Sequence, residues 1–426
     1  MSIRVTLDSA LHTVELLAKL AVERVETGLV FNPVRPELRA NPHPFYRRLR
    51  EKDPFHRSRA ADGWVLSRYA DVVSVLGDRS FSADERHLRR WPRLRARNAR
   101  AGLPDPYASE RASMLRLDPP DHTRLRNLVS KAFTPRAVER MRPVVEKYVE
   151  ELLGPLSGRR EMELVGEFAA PLPVSVIAEM LGIPVADRER FRHWSDEAVR
   201  TLGDHTLADR RRALAAMEEL GVYLEGIAEE RRREPREDLL SALVRAEEEG
   251  DRLSRNELFT TCVLLLVAGN ETTTKLIGNA ILALLEHPEQ LALLREEPAR
   301  IPGAVEELLR YDGPVQLTSR MVTEDRELRG RPLRRGQQLV LLLAAANRDP
   351  AQFEQPERLD VARADVRHVA LGHGIHFCLG AQLARLETAL ALEALATRFP
   401  RLRLAGPVVW GDHTVLRGPR VLPLAF

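Results

Sequence analysis

The chain has 426 residues, 44% of them hydrophobic and 30% charged, with a formal net charge of +3. That balance allows a large buried core and argues against general nucleic-acid binding, although clustered arginines predict local basic surfaces. Its two cysteines, Cys262 and Cys378, are too few and too far apart for a disulfide framework. This points to a cytoplasmic setting and leaves catalysis or ligation as the special role open to either.

In chain order, the first thirty or so residues carry Arg4, Asp8, Glu15 and Lys19, a pattern unlike a signal peptide. Leu11, Val14, Leu17, Leu20 and Val22 predict an amphipathic helix packed on the protein's own surface. Residues 1–32 are therefore set apart as an N-terminal extension. Residues 33–426 carry no repeat, low-complexity tract or Gly/Ser linker and are read as one large domain. "GWVLSRYADVVSVL" predicts a strand at Trp64–Leu66 and a helix at Ala70–Leu76. Helical spacing runs from Ala137 to Leu153, through "RALAAMEELGVYLEGIAEERRR", and through "NELFTTCVLLLVAGNETTTKLIGNAILALLEHP". "RELRGRPLRRGQQLVLLLAAANRDP" predicts a hairpin and a strand, and a further helix follows Gly380. The longest apolar run, "CVLLLVAG", is far short of the ~20 residues a membrane span requires.

Four stretches carry chemistry. In "GHGIHFCLG", residues 372–380, Cys378 stands among turn-forming glycines just before a helix, whose N-terminus stabilises a thiolate. The residues alone permit a metal-bound thiolate, a nucleophile with His373 or His376 as base, or a buried structural cysteine. In "VAGNETTTK", polar side chains interrupt an apolar helix beside the small Ala268 and Gly269, which is costly unless they line a ligand, water or partners. His122 and Arg126 are four apart, and Glu307 and Arg310 three apart, so each pair shares a helix face. Alone, both pairs fit ordinary surface residues.

Together these motifs resemble the cytochrome P450 family. The order Gly372-x-Gly374-x-His376-x-Cys378-Leu379-Gly380, followed by Ala384-Arg385, resembles its haem-binding loop, in which the cysteine thiolate is the axial ligand of the iron. Leu371 stands where the family usually has Phe. The resemblance implies a mainly α fold with small β-sheets, with haem b between the long central helix and the cysteine loop. It implies a Glu307–Arg310 structural pair joined by a third arginine, and a propionate clamp of His122, Arg126, Arg320 and His376. Ala268 and Gly269 become the oxygen groove, with Glu271 and Thr272 its proton-relaying acid and alcohol. Coverage runs from about residue 33 to 426.

The implied activity is that of a haem-thiolate monooxygenase hydroxylating or epoxidising an apolar molecule such as a fatty acid, terpenoid, steroid or polyketide. An H2O2-driven peroxygenase and a non-catalytic haem or ligand binder are the alternatives, and the intact Glu271–Thr272 pair disfavours both. With no dinucleotide fingerprint and too few cysteines for an iron–sulfur cluster, electrons come from a ferredoxin or flavodoxin and its reductase. Such carriers are commonly acidic and suit a basic face to which Arg124, Arg126 and Lys131 contribute. A monomer is expected. By resemblance the substrate pocket takes Leu88, Trp91, Leu94, Leu264, Val267, Ala268, Val315, Gln316, Leu317, Val415 and Leu416. The loop of residues 84–112 holds seven arginines between Arg86 and Arg100, which either bind a substrate anion or form a solvated surface.

Overall fold

The apolar run around Cys262 extends both ways into one helix, Arg255–Glu286, the axis of the molecule in this computed structural model. The structure describes residues 16–32, 35–103, 105, 113–156, 158–199, 207–248 and 254–426. Ser254 starts the central helix with a capping box: its hydroxyl accepts the Glu257 N–H (3.3 Å), and the Glu257 carboxylate accepts the Ser254 N–H (2.8 Å). His287 ends it, and Pro288 opens a separate helix. From Thr273 to Leu284 every residue is buried, so this stretch is enclosed on all sides. Helices Pro171–Leu181, Arg188–Val199, Ile301–Asp312 and Ala381–Arg398 pack against it. Among the described residues no helix is long and apolar enough to cross a membrane.

A five-stranded sheet flanks this helical body. In chain order its strands are β1 (Phe55–Ser58), β2 (Gly63–Leu66), β3 (Phe81–Ser82), β4 (Thr318–Val322) and β5 (Gln338–Leu341). Their spatial order is β1-β2-β5-β4-β3, with β2 and β5 parallel and every other pair antiparallel. Leu66, Val322, Leu339 and Leu341 bury on one face with the helix Tyr69–Gly77. The predicted hairpin forms as Arg326–Leu328 against Arg331–Leu333. Near the C-terminus Val409–Trp410 pairs with Pro419–Val421, and Pro423–Ala425 lies between Glu161–Glu163 and Arg403–Leu404.

Two expectations change. The helical spacing of Ala137–Leu153 is divided between Pro135–Glu139 and Arg142–Leu153, because Pro143 lacks an N–H and fits only a first turn. The arginine-rich loop contains a helix, Trp91–Arg100, with Pro92 in its first turn.

The N-terminal helix, residues 16–27, packs differently from its predicted apolar stripe. Leu17 is 60% and Val22 47% exposed, while Leu11 and Val14 lie outside the described residues. The inward contact is Glu23, fully buried. Its carboxylate accepts from the backbone N–H of Phe31 (2.8 Å) and of Arg59 (2.6 Å), from the Ser58 hydroxyl (3.1 Å) and from His56 Nε2 (3.0 Å). His56 Nδ1 meets Asp53 (2.9 Å), so both ring nitrogens face carboxylates. Burial opposes charge on Glu23, yet His56 and the two backbone donors hold its carboxyl below the usual range. Burial likewise opposes charge on His56, and Glu23 and Asp53 overcome it, raising the imidazolium above its usual range.

The Glu23 contribution is complete above the ordinary carboxylate value of 4.5 and is lost as pH falls through its depressed folded value. The His56 contribution is complete below the ordinary imidazole value of 6.5 and is lost as pH rises through its raised folded value. Hydrogen-exchange protection of residues 16–27, corrected for intrinsic rate, is therefore expected to peak between these limits and to fall on both sides. Glu23→Gln flattens that profile.

Candidate cofactor site

The loop before Cys378 is shaped by backbone that only glycine tolerates. Gly372 and Gly374 have φ of 76° and 71°, and a Cβ on Gly374 would lie 2.3 Å from the Leu76 carbonyl oxygen. The Cys378 N–H closes the turn on the Leu371 carbonyl (2.9 Å), and Leu371 packs half-buried against the main core. Gly380 is the N-cap of the helix Ala381–Arg398. Burial pushes the Cys378 thiol up, while the Gly380 N–H, Arg126 and Arg385 favour its thiolate.

Four donors converge beside this loop. The clamp helix Asp121–Ser130 carries His122 and Arg126, β4 carries Arg320, and the loop itself carries His376. The rings of His122 and His376 are 4.2 Å apart. Arg126 Nη2 donates to the Phe377 carbonyl (2.6 Å), and Arg320, buried, donates to the Ser319 carbonyl (2.8 Å). Neither guanidinium has an ion-pair partner among the described residues. Both nitrogens of His122 and Nε2 of His376 are buried without a hydrogen-bond partner. Burial, then Arg320, push His376 down to about 3, and burial and Arg126 lower His122, so both rings are neutral near pH 7. A pocket with two cations and two neutral rings with unused nitrogens fits a ligand bearing two carboxylates. That is the donor set haem propionates require.

Two ion-pair networks hold the loop's supports. Glu307 accepts from Arg310 Nε (2.6 Å) and Nη2 (2.8 Å) and from Arg363 Nε (3.1 Å), which is the third arginine. Arg310 also donates to the carbonyls of Asn347 (3.0 Å), Pro356 (2.8 Å) and Arg358 (3.0 Å), tying down the chain that leads to the loop. The adjacent Glu306, which sequence reasoning missed, accepts from Arg385 Nε (2.6 Å) and Nη2 (2.8 Å) and meets His368 (3.2 Å). Burial opposes its charge, but Arg385 and His368 bring its carboxyl down to about 2. Glu306 thus joins the helix Ile301–Asp312 to the one that follows Cys378.

The polar residues of the central helix divide by face, at about 100° per residue. Asn270 and Thr274 turn to neighbouring helices: Asn270 Nδ2 donates to Ser195 Oγ (2.8 Å) and the Thr274 hydroxyl to the Ala169 carbonyl (3.1 Å). Thr272 donates to the Ala268 carbonyl one turn back (2.5 Å), and a Cβ on Gly269 would meet nothing within 4 Å. Glu271 pairs with Lys275 (2.5 Å), and His413 Nε2 lies 3.6 Å from the same oxygen. Cys262 is plain core, 1% exposed.

The expected pocket residues are unevenly placed. Leu88, Val267 and Leu416 are buried, and Trp91, Leu94 and Leu264 are half-buried. Val315 bridges to Leu416, and Leu317 packs with the cluster around Phe31 and Tyr46. Two depart from an apolar wall: Val415 is 37% exposed, and the Gln316 amide is buried and donates to the Gly313 carbonyl (2.9 Å). In the arginine-rich segment Arg86 pairs with Asp84, Arg89 with Asp62 (3.3 Å) and Arg95 with Asp105 (2.7 Å), while Arg90 donates to the Ala60 and Ala61 carbonyls. Residues 104 and 106–112 lie outside the described residues. Arg124 pairs with Glu257 at the start of the central helix, so its charge is already engaged.

Comparison with known proteins agrees with this geometry. The cytochrome P450 family model matches residues 204–401. Cytochrome P450 CYP107DY1 of Priestia megaterium is 42% identical over 398 residues, covering 90% of this chain and 95% of that protein. Polyketide biosynthesis cytochrome P450 PksS of Bacillus subtilis is 38% identical over 408 residues, 93% of this chain and 99% of that one. Its solved structure matches with a TM-score of 0.84. Vitamin D(3) 25-hydroxylase of Pseudonocardia autotrophica is 43% identical over 393 residues, covering 91% and 94%. The chain belongs to the cytochrome P450 family. Within it the protein is a monooxygenase of the bacterial type, a group with varied substrates whose cofactor is haem.

Removing the Glu307 carboxylate leaves two guanidiniums without their counter-charge. Glu307→Ala is expected to cost about 3–5 kcal/mol in chemical denaturation.

Proposed function

We propose that Cys378 carries the iron of haem b and that His122, Arg126, Arg320 and His376 hold its propionates. The enzyme then uses O2 and externally supplied electrons to oxygenate an apolar small molecule. The observation that carries this reading is the convergence of two unpaired guanidiniums and two neutral imidazoles beside a thiol at a helix N-terminus.

When bound, haem supplies the oxygen-activating chemistry, with the Cys378 thiolate donating electron density to its iron. The Gly380 N–H and the helix N-terminus favour the deprotonated sulfur, and Arg126 and Arg385 add positive charge. Thr272 donates its hydroxyl proton to the Ala268 carbonyl, so beside the open face at Gly269 its oxygen lone pairs are left to accept a hydrogen bond from the groove. Glu271, next along the helix, holds the proton that Thr272 passes on. Electrons enter on the opposite side of the loop, where Phe377 is 38% exposed and its carbonyl accepts from Arg126. An acidic ferredoxin or flavodoxin, with its reductase, suits that surface. Mostly aliphatic side chains from Leu88, Val267, Val315 and Leu416 favour an apolar substrate, a fatty acid, terpenoid, steroid or polyketide. One relative is named for polyketide biosynthesis and another for 25-hydroxylation of vitamin D(3), which supports this range.

The reduced protein under carbon monoxide is expected to show the far-red Soret band that gives the family its name, and Cys378→His to lose it. A colourless protein unable to take up haem contradicts the proposal. Thr272→Ala is expected to keep that band while oxygen consumption yields peroxide in place of product; unchanged coupling removes Thr272 from the relay.

A further inference from the structure

Glu271 reaches the C-terminal hairpin, whereas Asn270 and Thr274 of the same helix turn to neighbouring helices. Its carboxylate oxygen is 2.5 Å from Lys275 Nζ and 3.6 Å from His413 Nε2, and the three side chains are only 15%, 5% and 8% exposed. The hairpin is built to admit Lys275. A Cβ on Gly418 would lie 2.6 Å from Lys275 Cβ, and one on Gly411 would lie 3.3 Å from its Nζ. The Gly411 N–H donates to the Gly418 carbonyl (3.0 Å), closing the loop that carries His413.

Beyond His413 lies a narrow cavity with room for about one water molecule, lined by Arg39, Tyr46, Gln316, His413, Thr414 and Arg417 among others. Gln316 is 3% exposed, and its carbonyl oxygen has no hydrogen-bond partner, so a buried acceptor faces this space. Arg417 is engaged by Asp312, and Gln316, Thr414, Tyr46 and His413 are among the polar groups that border the space where a water would sit.

We infer that His413 feeds protons to Glu271 from this cavity, and that Lys275 positions the Glu271 carboxylate to receive them. This rests on the monooxygenase reading of Glu271 and Thr272 and extends it outward. In each transfer the Nε2–H bond of a protonated His413 breaks and a proton bonds to the Glu271 carboxylate. The ring, which keeps its Nδ1–H, turns so that the vacated Nε2 takes a proton from the cavity water, and solvent restores the proton to that water. No electrons move. At 3.6 Å the pair is in ion-pair range and beyond a hydrogen bond, so a small rotation of either side chain completes the contact. The charged groups around His413 are Glu271 and Lys275 of the central helix, Asp412 and Arg417 of its own loop, Asp312 bound to Arg417, and Arg39 of the helix Pro36–Ala40. Among the described residues Glu271 places a carboxylate oxygen 3.6 Å from His413 Nε2.

The test combines a double-mutant cycle with a measurement independent of turnover. His413→Phe and Glu271→Gln are made singly and together, with His413→Asn as a second variant should Phe not fold. Oxygen consumption, product yield and solvent deuterium isotope effect are recorded for each. His413→Phe is expected to lower coupled turnover several-fold and raise the isotope effect in the parent. It has little further effect once Glu271→Gln is present. In the 15N-histidine-labelled, carbon-monoxide-bound reduced holoenzyme, Glu271→Gln is expected to move the His413 titration to lower pH by roughly half a unit or more. Equal losses from His413→Phe in both backgrounds, or a His413 resonance indifferent to Glu271, overturn the assignment. An intact far-red Soret band in those variants means that this inference alone has failed; its absence from the parent protein means that the haem-thiolate reading has.

Discussion

A pair of guanidiniums without carboxylate partners governs the organisation of this molecule. Arg126 and Arg320 lie close to two imidazoles that burial keeps neutral, and together they border the Cys378 loop. Desolvated positive charge of this kind is strongly unfavourable until something negative meets it. In the proposed reading the two carboxylates of a bound haem meet that charge, one for each guanidinium. On that reading the site is incomplete by its own electrostatics, and binding the cofactor adds to its stability.

Keeping such a pocket open without collapse demands rigid walls. Adjacent residues of one helix provide them in two directions: Glu307 gathers Arg310 and Arg363, and Glu306 gathers Arg385 and His368. One network fixes the chain entering the cysteine loop and the other fixes the helix leaving it. The central helix packs against the helix that follows Cys378, and its polar residues are sorted by rotation. Asn270 and Thr274 bind neighbouring helices, Thr272 bonds along its own helix, and Glu271 looks to the hairpin. The interruption of an apolar helix is thus several separate arrangements on different faces.

Much of this was legible in the sequence, for definite reasons. The cysteine loop is local, and its glycines answer to backbone geometry within a few residues, so spacing alone carries it. His122 with Arg126 and Glu307 with Arg310 are helical neighbours and equally visible. Glu306 was not, because its partner Arg385 lies 79 positions away and nothing local distinguishes it from its neighbour Glu307. Arg363 was foreseen as a role and could not be picked out by number from an arginine-rich stretch. The N-terminal helix misled, because its apolar stripe is the visible signal whereas a single buried carboxylate, Glu23, makes the inward contact. His413 carried no signal at all, since its meaning comes from a hairpin folding back on the central helix.

The central claim is that two carboxylates complete the cationic pocket beside Cys378. Its most direct test is to compare uptake of haem b and of its dimethyl ester by the haem-depleted protein, followed in the Soret band. Charge-assisted hydrogen bonds contribute about 1.5–3 kcal/mol each, so the ester is expected to bind on the order of a hundredfold more weakly, or worse. Arg320→Gln should narrow that difference. Equal affinity for acid and ester would show that the cations serve some other partner and would contradict the account.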